Sequence, residues 1–270
     1  MAKQKALIRP IEVKVKAYFL SDIHLESEQD SNFFVLNSLL QSILNDKECT
    51  HLFLLGDIFD LWVAHHSYFK AKFAHTLKKL HEIKDRGIEV HYFEGNHDLD
   101  LKPYFHTQGF KIHEEALVCE FGSKTFRIEH GDQMDPTDRG YLFLRWFLRT
   151  KLMRIVGRYL PGTLVERIGN SMSSTSRKYT DRLKLNLGQD QTDRREKIFE
   201  KIRKHVLKEL KTGHQFDIFI AGHIHEELQE KLPFNGKEIE IINLGSWLGE
   251  RKPYGVYDEI QGLQIRVWSR

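Results

Sequence analysis

The stretch Phe19-Leu20-Ser21-Asp22-Ile23-His24 decides the fold, because a strand ends there in two side chains that can bind a metal. The run before it, residues 13–20, is apolar and β-branched and predicts a buried strand. A carboxylate and an imidazole two residues apart, where a strand ends, can turn toward one ion. That pair alone is weak evidence for a metal site. Four later strand ends that carry matching ligands strengthen it.

Four further strands are predicted, and each ends in polar side chains. The strands span residues 51–55, 88–93, 124–129 and 216–221. The polar side chains that follow them are Asp57 and Asp60, then Asn96, His97 and Asp98, then His130, and finally His223 and His225. Helices predicted between the first three strands, including one over residues 68–86, indicate an α/β sheet with helices on its faces.

Side chains at the carboxyl ends of neighbouring strands can converge on one site. A mixed set of carboxylate, amide and imidazole ligands suits two divalent ions such as Mn²⁺, Fe²⁺ or Zn²⁺. Asp57 is the natural bridge, since one carboxylate can hold two ions about 3.5–4 Å apart. A single histidine after a strand is more often structural, but five such motifs in one order are hard to obtain by chance.

The composition is that of an ordinary soluble protein. The chain has 270 residues, 40% of them hydrophobic and 29% charged, which fits one large domain or a domain with an inserted lobe. Its two cysteines, Cys49 and Cys119, form neither a zinc knuckle nor a disulfide framework, so we expect a reduced, cytoplasmic setting. We expect neither a signal peptide nor a membrane-spanning segment.

An insertion interrupts the regular alternation of strands and helices. The strands ending at Glu129 and beginning at Phe216 are 86 residues apart, and a crossover helix over residues 190–211 accounts for only part of this interval. We predict a core of residues 1–136 and 189–270 and a helical lid of residues 137–188 in the same domain. Residues 139–184 contain eleven Lys or Arg and two acids, a net +9, which leaves −6 for the rest of a chain of net charge +3.

The lid combines apolar bulk with positive charge. Tyr141–Leu160 has many large apolar residues and no acid, and its cations are Arg145, Arg149, Lys151, Arg154 and Arg158. This composition predicts contact with an anionic lipid or membrane surface. The alternative is a lid whose apolar face packs on the body. Further along, Ser173, Ser174, Arg177 and Lys178 are candidate substrate-phosphate contacts, although such a run is also typical of a solvated loop.

The ordered motifs Asp-x-His, Gly-Asp-x-x-Asp, Gly-Asn-His-Asp, His and Gly-His-x-His resemble those of the calcineurin-like metallophosphoesterases. The resemblance implies a four-layer αββα sandwich with two metal ions at one edge, and Mn²⁺ is the ion we expect. It implies that Asp22, His24 and His225 hold one ion, that Asn96, His130 and His223 hold the other, and that Asp57 bridges them. His97 would assist the leaving group, with its ring held by Asp60, whereas Asp98 is expected to be structural.

Three features resemble the UDP-2,3-diacylglucosamine pyrophosphatases of lipid A synthesis. These are the insertion after His130-Gly131-Asp132, the run Gly56-Asp57-Ile58-Phe59-Asp60-Leu61-Trp62, and Leu244-Gly245-x-Trp247. The resemblance implies cleavage of a diphosphate to UMP and diacylglucosamine 1-phosphate, with a lid that clamps the acyl chains. One position differs, because the best-known branch has Arg after the ligand Asn and this chain has His97.

The resemblance also implies the partners and the location. We expect a nucleotide-linked lipid substrate, an anionic membrane surface and no nucleic acid, at the inner face of the cytoplasmic membrane. Two alternatives remain open. One is a metal-dependent phosphodiesterase or phosphatase that acts on a soluble nucleotide or another phosphoester. The other is a non-catalytic scaffold that uses the fold to bind protein.

Overall fold

The computed structural model describes residues 14–135, 139–169, 171 and 191–269. Within them the strands are β1 Lys16–Leu20, β2 His51–Leu54, β3 Trp62–Val63, β4 Glu89–Phe93, β5 Asp98–Leu99, β6 Lys111–His113, β7 Leu117–Phe121, β8 Lys124–Ile128, β9 Ile218–Ala221, β10 Glu227–Phe234, β11 Lys237–Leu244, β12 Pro253–Asp258 and β13 Gly262–Val267. The helices are α1 Ser31–Asn45, α2 Ser67–Lys72, α3 Ala74–Asp85, α4 Arg139–Leu148, α5 Lys151–Tyr159, α6 over residues 162–169, and α7 Gln191–Lys211.

Two large sheets form the centre of the molecule. The first has the order β13-β12-β1-β2-β4-β6, and its β1, β2, β4 and β6 run parallel. The second has the order β10-β11-β9-β8-β7, and its β11, β9 and β8 run parallel. Because parallel strands end at the same edge of their sheet, the loops after β1, β2, β4, β8 and β9 can meet.

Three apolar clusters separate four layers. Side chains from both sheets, such as Phe19 and Phe53 on one and Phe126 and Ile220 on the other, fill the space between them. On the outer side of the first sheet, α1 and α3 pack through a second cluster. On the outer side of the second sheet, α7 packs through a third. The predicted αββα fold class is therefore confirmed.

Several element boundaries differ from the prediction. The helix expected over residues 68–86 is two helices, α2 and α3, separated by Phe73. Phe73 has non-helical dihedral angles (φ −117°, ψ 30°), is fully buried and lies 4.4 Å from Phe59 between ring centroids. Burial of this ring bends the chain at a position that helical periodicity cannot single out. The strands β3, β5, β6, β7 and β10 were not predicted.

The described part of the lid, α4 to α6, lies over the loops that follow β2 and β4. His66 Nε2 contacts the Gly157 carbonyl at 2.5 Å, and Lys72 pairs with Glu166 at 2.5 Å. Val165 is buried in the cluster beneath α1 and α3. None of the described helices combines the length and the apolar character needed to cross a bilayer.

Candidate active site

The loops after β1 and β2 run side by side and place the first polar side chains. Asp22 N donates to Gly56 O at 3.2 Å, and His24 N donates to Asp57 O at 3.0 Å. These main-chain bonds continue the parallel pairing of the two strands by a few residues. Asp22, His24 and Asp57 are consequently held at one sheet edge.

One donor group contains Asp22, His24 and His225. His225 Nε2 lies 3.1 Å from Asp22 Oδ1 and 3.3 Å from His24 Nε2. Asp22 and His24 are buried, whereas the His225 side chain is 37% exposed and marks the open side of the group. The structure thus brings together the three residues predicted for the first ion.

A second donor group contains Asn96, His130 and His223. Asn96 Oδ1 lies 3.0 Å from His223 Nδ1 and 3.3 Å from His130 Nε2. Asp57 lies between the groups, with Oδ2 3.6 Å from His130 Nε2 and 4.0 Å from His24 Nε2. The two groups therefore share a carboxylate in the position predicted for the bridge.

The backbone of the site is strained. In the described part of the chain, eight non-glycine residues have positive φ, and five of them are Asp22, His24, Asp57, His223 and His225. Left-handed backbone is uncommon for non-glycine residues, although Asp and His adopt it more often than most, and it concentrates at functional sites. In the pairs Asp22/His24 and His223/His225, this backbone conformation directs two side chains that are two residues apart toward the same point.

Two glycines allow the donors to approach closely. A Cβ on Gly95 would lie 2.1 Å from Asp57 Oδ1, and a Cβ on Gly222 would lie 1.8 Å from Ser21 Oγ and 2.3 Å from Asp22 Oδ2. Neither space can hold a side chain without displacing a donor. This explains the glycine before Asn96 and the glycine before His223.

The donor set fits divalent metals. Asp22 Oδ1 is buried and accepts no hydrogen bond within the described residues, so a cation would satisfy it. Burial opposes ionisation of Asp22, but the His225 imidazole, whose Nε2 lies 3.1 Å from Oδ1, lowers the pKa of Asp22 below its ordinary value. His130 Nδ1 lies 2.6 Å from Leu55 O, which directs Nε2 at Asn96 and Asp57. Carboxylate, amide and imidazole ligands of this kind suit borderline ions.

His97 lies beside both donor groups. Its main-chain N donates to Asp57 Oδ1 at 2.9 Å, and its ring meets that of His24 edge-on at 4.7 Å between centroids. His97 Nδ1 donates to the main-chain carbonyl of Asp60 at 2.6 Å. The Asp60 carboxylate lies 3.8 Å from Nδ1, so Asp60 contacts the ring through its main-chain carbonyl. Trp62 N donates to His97 O at 2.9 Å and holds the two loops together.

Asp98 is buried and accepts three hydrogen bonds from the body. The donors are Ile58 N at 2.8 Å, Tyr92 Oη at 2.7 Å and Phe59 N at 3.2 Å. The carboxylate thereby fixes the loop that carries Asp57, as expected of a structural residue.

Four of the five cations of the predicted lid pair with groups of the body, and the predicted contact of this region with a membrane stays a prediction. Their partners are Asp132 for Arg145 at 2.6 Å, Gly95 O for Arg149 at 3.2 Å, Glu114 for Arg154 at 2.9 Å and Asp100 for Arg158 at 2.8 Å. The acidic body attracts these cations, and buried carboxylates such as Asp100 and Asp132 require partners. Lys151 is exposed.

A mainly apolar cavity of about 330 Å³ lies between α4 to α6 and the body, and Asn96 and His97 are among the residues that line it. Its walls include Leu61 and Val63 from the body and Met153, Val156, Leu160 and Ile168 from the lid. Its far wall is formed by α5 and α6. The cavity connects the donor groups to a space that suits hydrocarbon.

The outer face of the lid is also apolar. The exposed fraction is 63% for Phe143, 62% for Trp146, 66% for Leu152 and 85% for Tyr159. We call these four residues the outer apolar face. Patches of this kind mark interaction surfaces.

Sequence reasoning missed some site residues and left others untested. It did not place Arg149 near Asn96, because nothing local to α4 indicates which way its side chain points. Tyr141, whose hydroxyl donates to Asp132 at 2.9 Å, was also missed. The four predicted phosphate contacts Ser173, Ser174, Arg177 and Lys178 lie outside the described residues.

The four-layer fold and the two donor groups on either side of Asp57 match the arrangement that the motifs predict. No protein-family model matches the chain. The chain is similar to the UDP-2,3-diacylglucosamine hydrolase of Porphyromonas gingivalis, with 27% identity over 91% of this chain and 95% of that protein. It is similar also to the enzyme of the same name from Stutzerimonas stutzeri, with 28% identity over 84% and 89%.

A solved archaeal phosphodiesterase aligns with 94% of this chain and 99% of its own, with 14% identity and a TM-score of 0.47. The fold assignment rests on the sheet topology given above. The predicted resemblance is confirmed by the curated relatives, which are named hydrolases. Fold, donor set and relatives together place the chain among the metal-dependent hydrolases.

Proposed function

We propose that this chain hydrolyses the diphosphate of UDP-2,3-diacylglucosamine, with release of UMP and diacylglucosamine 1-phosphate. The observation that carries the proposal is the mainly apolar cavity that Asn96 and His97 help to line. A soluble nucleotide has no group that would use this space, whereas an acyl chain does. The names of the curated relatives support the same substrate.

In this proposal Asp22, His24 and His225 hold one divalent ion, Asn96, His130 and His223 hold the other, and Asp57 bridges them. Mn²⁺ is the proposed native ion. Two such ions, when bound, activate water and neutralise the charge that develops on the phosphoryl oxygens. The protein contributes a site in which Asp22, His24, Asp57 and His130 are buried and therefore shielded from water.

Two further residues act on the phosphates. As an imidazolium, His97 would donate the Nε2 proton to the leaving oxygen and become neutral, while Nδ1–H stays bonded to the Asp60 carbonyl. Arg149 brings a cation from the lid, with Nη2 3.2 Å from Gly95 O and Nε 3.6 Å from Glu94 Oε2. This arginine supplies positive charge next to Asn96, where the best-known branch has an arginine that follows the asparagine.

The substrate assignment is tested by changing the cavity without touching the donors. Val156 faces the cavity, whereas Ile155, the preceding residue of α5, is 52% exposed. Val156→Asp should reduce UMP release from the diacylated substrate by about 10- to 100-fold, because a charge in the cavity opposes acyl burial. Hydrolysis of bis-p-nitrophenyl phosphate should persist, and Ile155→Asp should leave both activities near wild type.

Val156→Phe serves as a second variant in case the aspartate disturbs the lid. It fills the cavity with apolar volume and should weaken the lipid activity in the same selective way. Two outcomes would favour the alternative of a phosphodiesterase that acts on a soluble substrate. One is an equal rate of lipid hydrolysis in wild type and both variants, and the other is no lipid hydrolysis by wild type.

We propose further that residues 137–188 form the lid and that the protein binds peripherally to the cytoplasmic face of the membrane. The support for this is the outer apolar face, since four of the five cations that suggested electrostatic binding are paired with the body. Aromatic and aliphatic side chains of such a face can enter the interface directly.

A further inference from the structure

A cluster of histidines runs along the first sheet from His51, at the end opposite the active site, to His113, which pairs with Phe93 near the other end. His51 and Glu89 open the neighbouring parallel strands β2 and β4, and they are paired in register. His91 lies two residues after Glu89, so both side chains point to the same face of the sheet. His113 is on the next strand, β6. The catalytic donors follow the other ends of these strands, about 13 Å away for a five-residue strand.

Three ligand atoms in this cluster converge. Glu89 Oε2 lies 3.5 Å from His91 Nε2 and 3.8 Å from His51 Nε2, and all three atoms lie within 4.8 Å of one another. Ligands about 2.0–2.2 Å from a tetrahedral ion are separated by comparable distances. The open side of the group faces a surface cleft that His51 and Glu89 line.

The His91 side chain is the second indication. It is 7% exposed, and its Nε2 has no hydrogen-bond partner among the described residues although it is buried. An unpartnered buried nitrogen that is aimed at a carboxylate requires an explanation. A cation between the two atoms would satisfy both.

His113 holds the His91 ring in the orientation that ligation requires. Its Nε2 lies 3.0 Å from His91 Nδ1, and the two rings are stacked with an interplanar angle of 5°. When His91 Nδ1–H donates to His113, His91 Nε2 carries the lone pair. Partners of this kind fix the tautomer of metal-ligating histidines. Burial lowers the pKa of His91 to about 3 and that of His113 to about 4, so both imidazoles are neutral at pH 7.

We propose that His51, Glu89 and His91 form a third metal site, specific for a borderline divalent ion such as Zn²⁺ and separate from the catalytic pair. Two imidazoles and one carboxylate are a ligand set that this ion favours. The ion joins the opening ends of β2 and β4, and water completes its coordination from the cleft. Its effect is to stabilise the first sheet at the end remote from the chemistry.

Lys111 competes for the same carboxylate. Its Nζ forms an ion pair with Glu89 Oε2, but its side chain is 54% exposed and can turn to solvent. The ion therefore displaces a solvent-accessible ammonium. Removal of this lysine should tighten metal binding, an effect that a purely structural histidine cluster would not produce.

The experiment measures metal content in the full-length protein. Protein loaded with Mn²⁺ is equilibrated with Zn²⁺, freed of excess ion and analysed for both metals, and its thermal midpoint is recorded. Wild type should hold one more metal ion per chain than either His51→Ala or Glu89→Gln. Zn²⁺ should raise the thermal midpoint of wild type and leave those of the two variants unchanged. His113→Gln should weaken the extra ion by about 10- to 100-fold, and Lys111→Ala should strengthen it.

His75→Ala is the matched control. His75 Nδ1 also contacts a glutamate, Glu28, at 2.6 Å, but this pair is not part of a three-ligand group among the described residues. The control should keep the extra ion. The proposal would be overturned if wild type, His51→Ala and Glu89→Gln held the same number of metal ions per chain. This outcome counts against it whether that number equals the catalytic pair alone or exceeds it. Because the measure is a difference between variants, it does not depend on which substrate the enzyme cleaves.

Discussion

The metal centre and the lid are built by opposite means. The centre uses side chains within a few residues of strand ends, held by left-handed backbone and by glycines that leave room for the donors. The lid uses long cations from α4 and α5 that reach carboxylates on the body, such as Asp132, Glu114 and Asp100. Local backbone geometry positions the side chains of the metal centre, whereas ion pairs between residues far apart in the chain position the lid.

The difference determines how each region should respond to mutation. A change in the centre removes a donor that no neighbouring group can replace, so chemistry should be lost while the fold persists. A change in the lid alters an apolar surface or one of several ion pairs, so the effect should be graded and confined to the lipid substrate. The expected loss of activity therefore decreases from the metal centre to the outer apolar face.

Asp57→Asn should have the largest effect. The variant keeps the size of the bridging side chain but removes the charge that both donor groups share, so metal affinity should weaken at both. We expect activity toward any phosphoester to fall by several orders of magnitude, with the loss measured as kcat/KM and the metals counted in parallel. Asp46→Asn, which removes a carboxylate just after α1, should change neither. Full activity with two metals bound in Asp57→Asn would rule out the shared carboxylate.

His97→Ala should have an intermediate effect that depends on the substrate. Loss of a proton donor costs about 10²–10⁴-fold in rate, and both metals should stay in place because His97 is not one of the proposed ligands. The loss should be smaller for p-nitrophenyl esters, whose leaving group needs less protonation. His106→Ala, in a turn after β5, is the control and should retain full rate.

A loss that is the same for good and poor leaving groups would contradict proton donation by His97. It would instead assign His97 to positioning of the phosphate. Metal content must be compared in the same preparations, because only a variant with both ions in place can distinguish the two roles.

The residues of the metal centre could be predicted from the sequence, whereas the contacts of the lid could not. The seven proposed ligands could be named because each belongs to a short motif at the end of a strand, and parallel strands bring their ends together. The break at Phe73, the use of the Asp60 carbonyl and the inward turn of Arg149 could not be predicted. Each depends on a partner far along the chain, and helical or strand periodicity does not report such partners.

The last prediction concerns the outer apolar face and has the smallest expected effect on catalysis. Since Arg145, Arg149, Arg154 and Arg158 are paired with the body, vesicle binding should depend on aromatic burial rather than on charge. Phe143 and Trp146, whose ring centroids are 5.7 Å apart, should contribute most. Their joint replacement by Ser should weaken binding to anionic vesicles by about tenfold or more, because each buried aromatic contributes about 1.5–3 kcal/mol.

Hydrolysis of bis-p-nitrophenyl phosphate should be unchanged in this variant, since both side chains are about two-thirds exposed and neither lines the cavity beside Asn96 and His97. Lys151→Glu is the matched control on the adjacent helix, because it reverses an exposed charge without removing apolar surface. Co-sedimentation at low and high salt separates the two origins of binding. Binding that disappears in high salt and in Lys151→Glu, but survives the loss of both aromatic rings, would contradict the apolar mode. It would show that electrostatic attraction acts at this surface even though most of the lid arginines face inward.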